Sequence, residues 1–227
     1  MDHKRLTLFA GHYGSGKTNI AVNYALQLAR EGKKVCIADL DIVNPYFRTK
    51  DSAKELEAAG VHLISPQFAN TNVDLPALPA EAYRLVEDKS SYGIMDIGGD
   101  DRGAYALGRY VPYILKENNY RMIYVANCYR ALTRTAAEAM EVMREIEAAC
   151  GLKFTDIANN SHLGNFTDVQ TLLDSQPFIE QLCELSGLPL YLTTVRADLA
   201  EEVAAHIPNV LPLQLQEKYF DLPDQRI

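Results

Sequence analysis

Cysteine is scarce in this sequence. Cys36, Cys128, Cys150 and Cys183 are the only four in 227 residues, far apart and without a Cys-x-x-Cys pair. That spacing excludes a zinc ribbon or a cluster ligand set and fits free, mostly buried thiols of a reduced cytoplasm. His3, His62, His162 and His206 stand at no metal-ligand spacing, and no Ser-His-Asp or Cys-His order points to a nucleophilic hydrolase. Positive charge is in deficit, with 22 Lys and Arg against 30 Asp and Glu and a net charge of -8. Phosphate-backbone affinity needs a basic surface, so non-specific nucleic-acid binding is not expected. The longest basic runs are the pairs Lys4-Arg5 and Lys33-Lys34, too short for a polybasic membrane patch. No apolar stretch approaches a membrane span, and "MDHKRLTLFA" lacks a signal-peptide core. A soluble, cytoplasmic protein without a membrane partner is expected.

Apolar residues are plentiful, at 48%, enough for a sizeable core. They fall in short runs separated by helical patterns. Strand candidates are 5–10, 34–39, 61–65, 92–97, 121–126, 154–159 and 188–195, each apolar nearly throughout, as strands covered on both faces are. Helical patterns lie at about 17–31, 50–59, 79–88, 103–118, 134–150, 168–186 and 198–206. This order predicts an α/β fold: three layers, a mostly parallel central sheet and helices on both faces. No repeat, low-complexity tract or linker interrupts it, so residues 1–227 read as a single domain. Ligands in such sheets sit beyond the carboxyl ends of the strands. The one long irregular stretch, "PQFANTNVDLPALP" at 66–79, is either a functional loop or a surface excursion.

The first strand candidate runs into "GHYGSGKTN". Gly11, Gly16, Lys17 and Thr18 satisfy Gly-x4-Gly-Lys-Ser/Thr, which chance supplies about once in a hundred chains of this length at average glycine usage. The motif also sits between a strand and an amphipathic helix, the context that gives it meaning. Glycines let backbone N–H groups converge on phosphates, and the helix N-terminus adds its positive end. The predicted nucleotide contacts here are Gly11, His12, Tyr13, Gly14, Ser15, Gly16, Lys17, Thr18 and Asn19. Lys17 would reach the outer phosphates and stabilise charge, and the Thr18 hydroxyl would ligate magnesium.

Carboxylates follow two strands. Asp39 and Asp41 close the second, where one of them is placed to orient an attacking water or to hold the metal's water shell. Asp96 closes the fourth, followed by Gly98 and Gly99. An aspartate there completes a magnesium shell, and the Gly99 N–H can sense a terminal phosphate. Asp100 and Asp101 read equally well as caps and turns.

Together these segments resemble the ParA/MinD/CobQ-CobB group of deviant P-loop ATPases, of the SIMIBI class. "GKTNIAVNYALQLAREGKKVCIADLD" is especially similar, and the resemblance covers about residues 5–130, fading toward the C-terminus. It implies ATP or ADP with Mg2+, and Asp41 as the residue that positions the hydrolytic water. It also implies a first switch at 42–48, a second at 97–101, and Asn160 in "DIANNSHLG" as a base contact. No Asn-Lys-x-Asp guanine signature occurs, which favours adenine. The chain departs from the pattern at His12, where the group carries a lysine that reaches phosphates across a dimer, and at Tyr13, which replaces a glycine. Arg48 or Arg130 is a candidate for the missing charge, or else a surface or capping residue. Tyr46 and Phe47 are candidate partner contacts, and Tyr110, Tyr113 and Tyr120 are core edges or an oligomer interface.

Three functions follow. The first is a slow, magnesium-dependent ATPase that switches binding to a protein partner or dimerisation. DNA segregation is disfavoured by the charge, and MinD-type membrane attachment by the tail "LPLQLQEKYFDLPDQRI", which is no basic amphipathic helix. The second is a single-domain ligase or kinase for a small carboxylic acid, like the CobB and dethiobiotin-synthetase relatives. The third is a nucleotide-holding adaptor without turnover, which intact Asp41 and Asp96 argue against.

Overall fold

The computed structural model describes residues 2–41, 49–65, 80–99 and 101–215. They build one all-parallel sheet of eight strands in the order β3-β2-β4-β1-β5-β6-β7-β8. The strands are β1 (Leu6–Ala10), β2 (Val35–Asp39), β3 (His62–Ile64), β4 (Tyr92–Asp96), β5 (Tyr120–Ala126), β6 (Asp156–Asn159), β7 (Leu190–Arg196) and β8 (Val210–Leu213). The α/β expectation stands. Within β1 the side chains alternate: Leu6, Leu8 and Ala10 enter one core, while Phe9 enters the other.

Helix α1 (Lys17–Arg30) supplies Ile20 and Tyr24 to the Phe9 core, joined by Leu56 of α2 (Ala53–Ala58). A short α3 (Arg84–Glu87) leads into β4. The opposite face is covered by α4 (Asp101–Gly108), α5 (Val111–Glu117), α6 (Ala136–Cys150) and α8 (Gln176–Ser186), through Leu107, Ile114, Met143 and Leu182. Helices α7 (Val169–Asp174) and α9 (Ala200–Ala204) pack with β7 in a small third cluster. Fully burying one such side chain is worth about 1.5–3 kcal/mol, so the two large cores hold the layers together.

Three details differ from the sequence expectation. The helix expected over 103–118 is two helices, because Pro112 opens α5 and cannot continue the hydrogen bonding of α4. Pro177 divides the pattern at 168–186 into α7 and α8 in the same way. Strand β8 was not expected at all; it lies at the sheet edge, where Pro212 is tolerated because only one side needs N–H donors. The segments 42–48 and 66–79, with Tyr46, Phe47 and Arg48, lie outside the described residues, as do Asp100 and the tail from 216. Among the described residues, no helix is long and apolar enough to cross a membrane.

Candidate functional site

Strand β1 lies between β4 and β5, so the loop that leaves its carboxyl end is flanked by the ends of both. Loop and helix meet at Gly16, whose φ of 90° lies in the left-handed region where a side chain is strained. Among the described residues no side chain caps the N-terminus of α1, whereas α6 and α7 carry capping boxes from Thr135 and Asp168. A helix of 14 residues with no side-chain cap turns its positive end toward the loop, the requirement for holding an anion. The loop folds on itself: Ser15 N–H donates to the His12 carbonyl at 3.1 Å, and so does the buried Lys17 ammonium, also at 3.1 Å. Lys17 is therefore drawn over the loop that would receive phosphate. Asn19 is half-buried in the first turn of α1.

On the β4 side the carboxylates converge. Asp39, Asp41 and Asp96 are all buried, and the Asp41 N–H donates to Asp39 Oδ1 at 3.0 Å. Asp96 Oδ2 accepts from the Thr49 hydroxyl at 3.2 Å, and Thr18 also hydrogen-bonds the carboxyl. Asp96 Oδ1, in contrast, is buried and has no partner. Desolvation pushes the Asp96 carboxyl up to about 6; hydrogen bonds from Thr18 and Thr49 and the Lys17 charge oppose the rise, and the Asp41 charge adds to it. An orphaned carboxylate oxygen beside a Ser/Thr-type hydroxyl is the donor set of a magnesium ion and its water shell. The residues present fit that ion. Gly99 closes the cluster against the loop: a side chain there would begin 2.7 Å from the Tyr13 backbone nitrogen and 2.9 Å from Lys17 Nζ.

The flank from β5 and β6 is neutral and basic. Asn160, fully enclosed, donates from Nδ2 to the Ser15 carbonyl at 2.5 Å, and its Oδ1 accepts from the Thr194 hydroxyl. Its amide thus ties the loop to β7, and both of its ends are in use. His162 Nε2 lies 3.6 Å from the point where a side chain at Gly16 would start. His12 Nδ1 donates to the neighbouring Tyr13 carbonyl at 2.9 Å, while the Tyr13 ring is more than half exposed. Arg130 lies over the loop at Gly14, with Cζ and Nε each 3.8 Å from the start of a side chain there.

The structure thus brings together every loop residue the sequence singled out, with Asp41, Asp96, Gly99 and Asn160. Of the two arginines considered, Arg130 is at the loop and Arg48 lies outside the described residues. Two contributors escaped sequence reasoning. Thr49 is invisible because its partner is Asp96, 47 positions away. Asn127, at the end of β5, braces the turn that carries Arg130 through its carbonyl and Oδ1; a lone Asn at a strand end was its only signal. The cysteines are bystanders: Cys36 and Cys150 are buried, and desolvation raises all four thiols, Cys36 to about 12.

Neither a protein-family model nor a curated protein sequence matches the chain. Solved structures do. FtsY, the signal recognition particle receptor of Elizabethkingia anophelis, aligns at 16% identity and TM-score 0.56 over 85% of this chain and 59% of that one. FtsY of Mycoplasma mycoides aligns at 16% and 0.57 over 85% and 60%. The signal recognition particle 54 kDa protein of Aeropyrum pernix K1, solved in complex with GDP, aligns at 19% and 0.52 over 83% and 40%. This chain therefore spans at most about 60% of the length of these three chains. At such identities the likeness establishes the fold, that of P-loop NTPases.

Proposed function

We propose that this chain is a magnesium-dependent, ATP-binding P-loop protein of the SIMIBI class, a slow ATPase that switches binding to a protein partner or a second copy of itself. Residues 1–227 act in this reading as one nucleotide-binding domain. The observation that carries it is the pairing, at one point, of an uncapped helix N-terminus with an orphaned buried carboxylate oxygen. The first recruits phosphate, the second a cation, and a magnesium nucleotide supplies both. GDP in the Aeropyrum pernix protein, on the same fold, supports a nucleotide at this loop.

In this reading Gly11 to Thr18 cradle the phosphates, and Lys17 leaves the His12 carbonyl to neutralise charge on the outer ones. Thr18 and Asp96 would hold magnesium, and Asp41, whose charge acts on Asp96, would face its water shell. Bound magnesium neutralises phosphate charge and fixes the geometry of the phosphate chain. Asp41 orients the attacking water, and Gly99, pressed against Tyr13 and Lys17, reports whether a terminal phosphate is present. Asn160 belongs to the site as the brace of the loop. Adenine is preferred because the chain lacks the guanine-reading Asn-Lys-x-Asp segment. The small-acid ligase alternative, drawn from the CobB- and dethiobiotin-synthetase-like relatives, gains no supporting observation among the described residues.

Two measurements test the reading. Calorimetry with Mg-ATP, Mg-GTP and no magnesium is expected to show micromolar binding of Mg-ATP, weaker Mg-GTP, and loss of both in Lys17→Ala. Light scattering with a non-hydrolysable Mg-ATP analogue, Mg-ADP and no nucleotide is expected to show a mass change only with the analogue. Unchanged affinity in Lys17→Ala defeats the nucleotide site, and one mass in all three states defeats self-association as the output.

A further inference from the structure

The charge balance around the loop is one-sided. Asp39, Asp41 and Asp96 approach from β2 and β4. A bound magnesium ion would offset those carboxylates, and Lys17 is the one lysine or arginine within the loop at 11–18 to face a polyphosphate. His12 sits at the loop crest, with its Nδ1 committed to the Tyr13 carbonyl. An imidazole, unlike a guanidinium, is no fixed cation.

Arg130 is differently placed. It is carried by the turn after β5, the strand beside β1, and that turn is stiff. The Arg130 N–H donates to the Asn127 carbonyl at 3.3 Å, the Thr133 hydroxyl donates to the same carbonyl at 2.8 Å, and the Thr133 N–H donates to the Arg130 carbonyl at 3.2 Å. The Tyr129 N–H adds a bond to Asn127 Oδ1 at 3.0 Å, and the Tyr129 hydroxyl donates to the Thr171 carbonyl at 2.8 Å. The side chain turns from this support onto Gly14. Its Nε is buried and has no hydrogen-bond partner, and among the described residues no carboxylate pairs with it. A buried guanidinium nitrogen without an acceptor is costly unless an acceptor arrives. A phosphate in the adjoining loop is an acceptor of the right charge and of the planar fork geometry that arginine matches.

We propose that Arg130 is a phosphate-contacting residue that supplies, from the same chain, the fixed positive charge the loop lacks at His12. It extends the nucleotide-site reading above and rests on it. The contact falls on the outer part of the phosphate chain, so it distinguishes a triphosphate from a diphosphate without needing a cation from a second protomer.

The test is calorimetric titration of Mg-ATP and Mg-ADP into wild-type protein, Arg130→Gln, Arg130→Lys and Lys17→Ala, each first checked by thermal melt. Arg130→Gln is expected to raise the Kd for Mg-ATP about tenfold or more, as loss of a charge-assisted hydrogen bond does, with a smaller change for Mg-ADP. Arg130→Lys is expected to recover part of the loss. An Arg130→Gln Kd within twofold of wild type, while Lys17→Ala loses binding, overturns the proposal and leaves the site reading intact. Unchanged binding in Lys17→Ala overturns both. Should Arg130→Gln not fold, Arg130→Lys decides: a Kd raised for Mg-ATP but not for Mg-ADP supports the contact, and equal shifts overturn it.

Discussion

Replacing Asp96 by asparagine is expected to stabilise the nucleotide-free protein while disabling it. The carboxyl is 1% exposed, Oδ1 has no partner, and desolvation lifts its pKa from 3.8 to about 6. At about 1.4 kcal/mol per pH unit, ionising this group inside the fold costs about 3 kcal/mol. The folded pKa lies above the unfolded one, so between about pH 4 and pH 6 the folded state holds more protons than the unfolded state. The Asp96 contribution to wild-type stability therefore falls as pH rises through that window and is constant above it. Asparagine removes the charge but buries amide hydrogens, of which the nearby Asp41 carboxylate accepts at most part, at a cost of about 1–2 kcal/mol. The net expectation is a gain of about 1–2 kcal/mol at pH 7.5, or a few degrees in Tm for a chain of this size, which crosses zero near pH 5 and turns into a loss of about 1–2 kcal/mol near pH 4. The assay is thermal unfolding by circular dichroism in EDTA at pH 4.5 and 7.5, repeated at pH 7.5 with Mg-ATP. Magnesium nucleotide is expected to raise the melting temperature of wild type far more than that of the variant. An Asp96→Asn protein that melts at or below wild type at pH 7.5, with the same pH slope, would falsify the assignment of Asp96 as a carboxylate kept charged for a cation.

Other substitutions probe the rest of the frame. Gly99→Ala places a methyl group 2.7 Å from the Tyr13 backbone nitrogen, so the loop must shift; calorimetry is expected to show at least tenfold weaker Mg-ATP binding with a fold intact by circular dichroism. Asn160→Ala removes the side-chain donor to the Ser15 carbonyl and leaves the Thr194 hydroxyl only the Asn159 carbonyl as acceptor, and is expected to cost about 1–3 kcal/mol in urea unfolding. If the ratio of ATP to GTP affinity also moves in that variant, Asn160 reads the base as well as bracing the loop. Arg5→Ala removes a buried guanidinium that pairs with Glu117 and donates to the Leu85, Asp88 and Ser91 carbonyls. Glu117, half-buried, keeps the Lys89 ammonium but loses its guanidinium partner, and with three carbonyls losing a donor a loss of about 1–3 kcal/mol is expected, with nucleotide affinity unchanged because the pair sits at the opposite end of the sheet.

How much of this was legible beforehand depends on sequence distance. Seven strands could be read because apolar runs such as "RMIYVA" need no partner to be recognised. Strand β8 could not, because four residues with a proline gain strand character only by pairing with β7. The loop was legible because its pieces are consecutive, and Asp96 because an acid ending a buried strand needs a reason. Thr49 on Asp96 was hidden, and Asn160 and Arg130 were named as candidates without their partners Ser15 and Gly14, since each contact joins segments tens of residues or more apart. The segment 42–48, read as a first switch, lies outside the described residues, so that expectation stands as proposed.

The strand order explains why polar and charged side chains gather at this loop. Because β1 sits between β4 and β5, the chain must leave the sheet from its middle, with one neighbour's end on each side. The β4 side, reinforced by β2, delivers three buried carboxylates; the β5 side delivers a guanidinium and, through β6, a neutral amide. A loop lined by carboxylates alone would bind a metal and repel phosphate, and one lined by cations alone would bind any anion. Opposite charge on its two flanks instead selects a ligand that carries a cation at one side and exposed anionic oxygen at the other. A magnesium-bound nucleoside triphosphate has that polarity. A free metal ion fills only the acidic half and a free phosphate only the basic half, so each alone is expected to bind this protein more weakly than the two together.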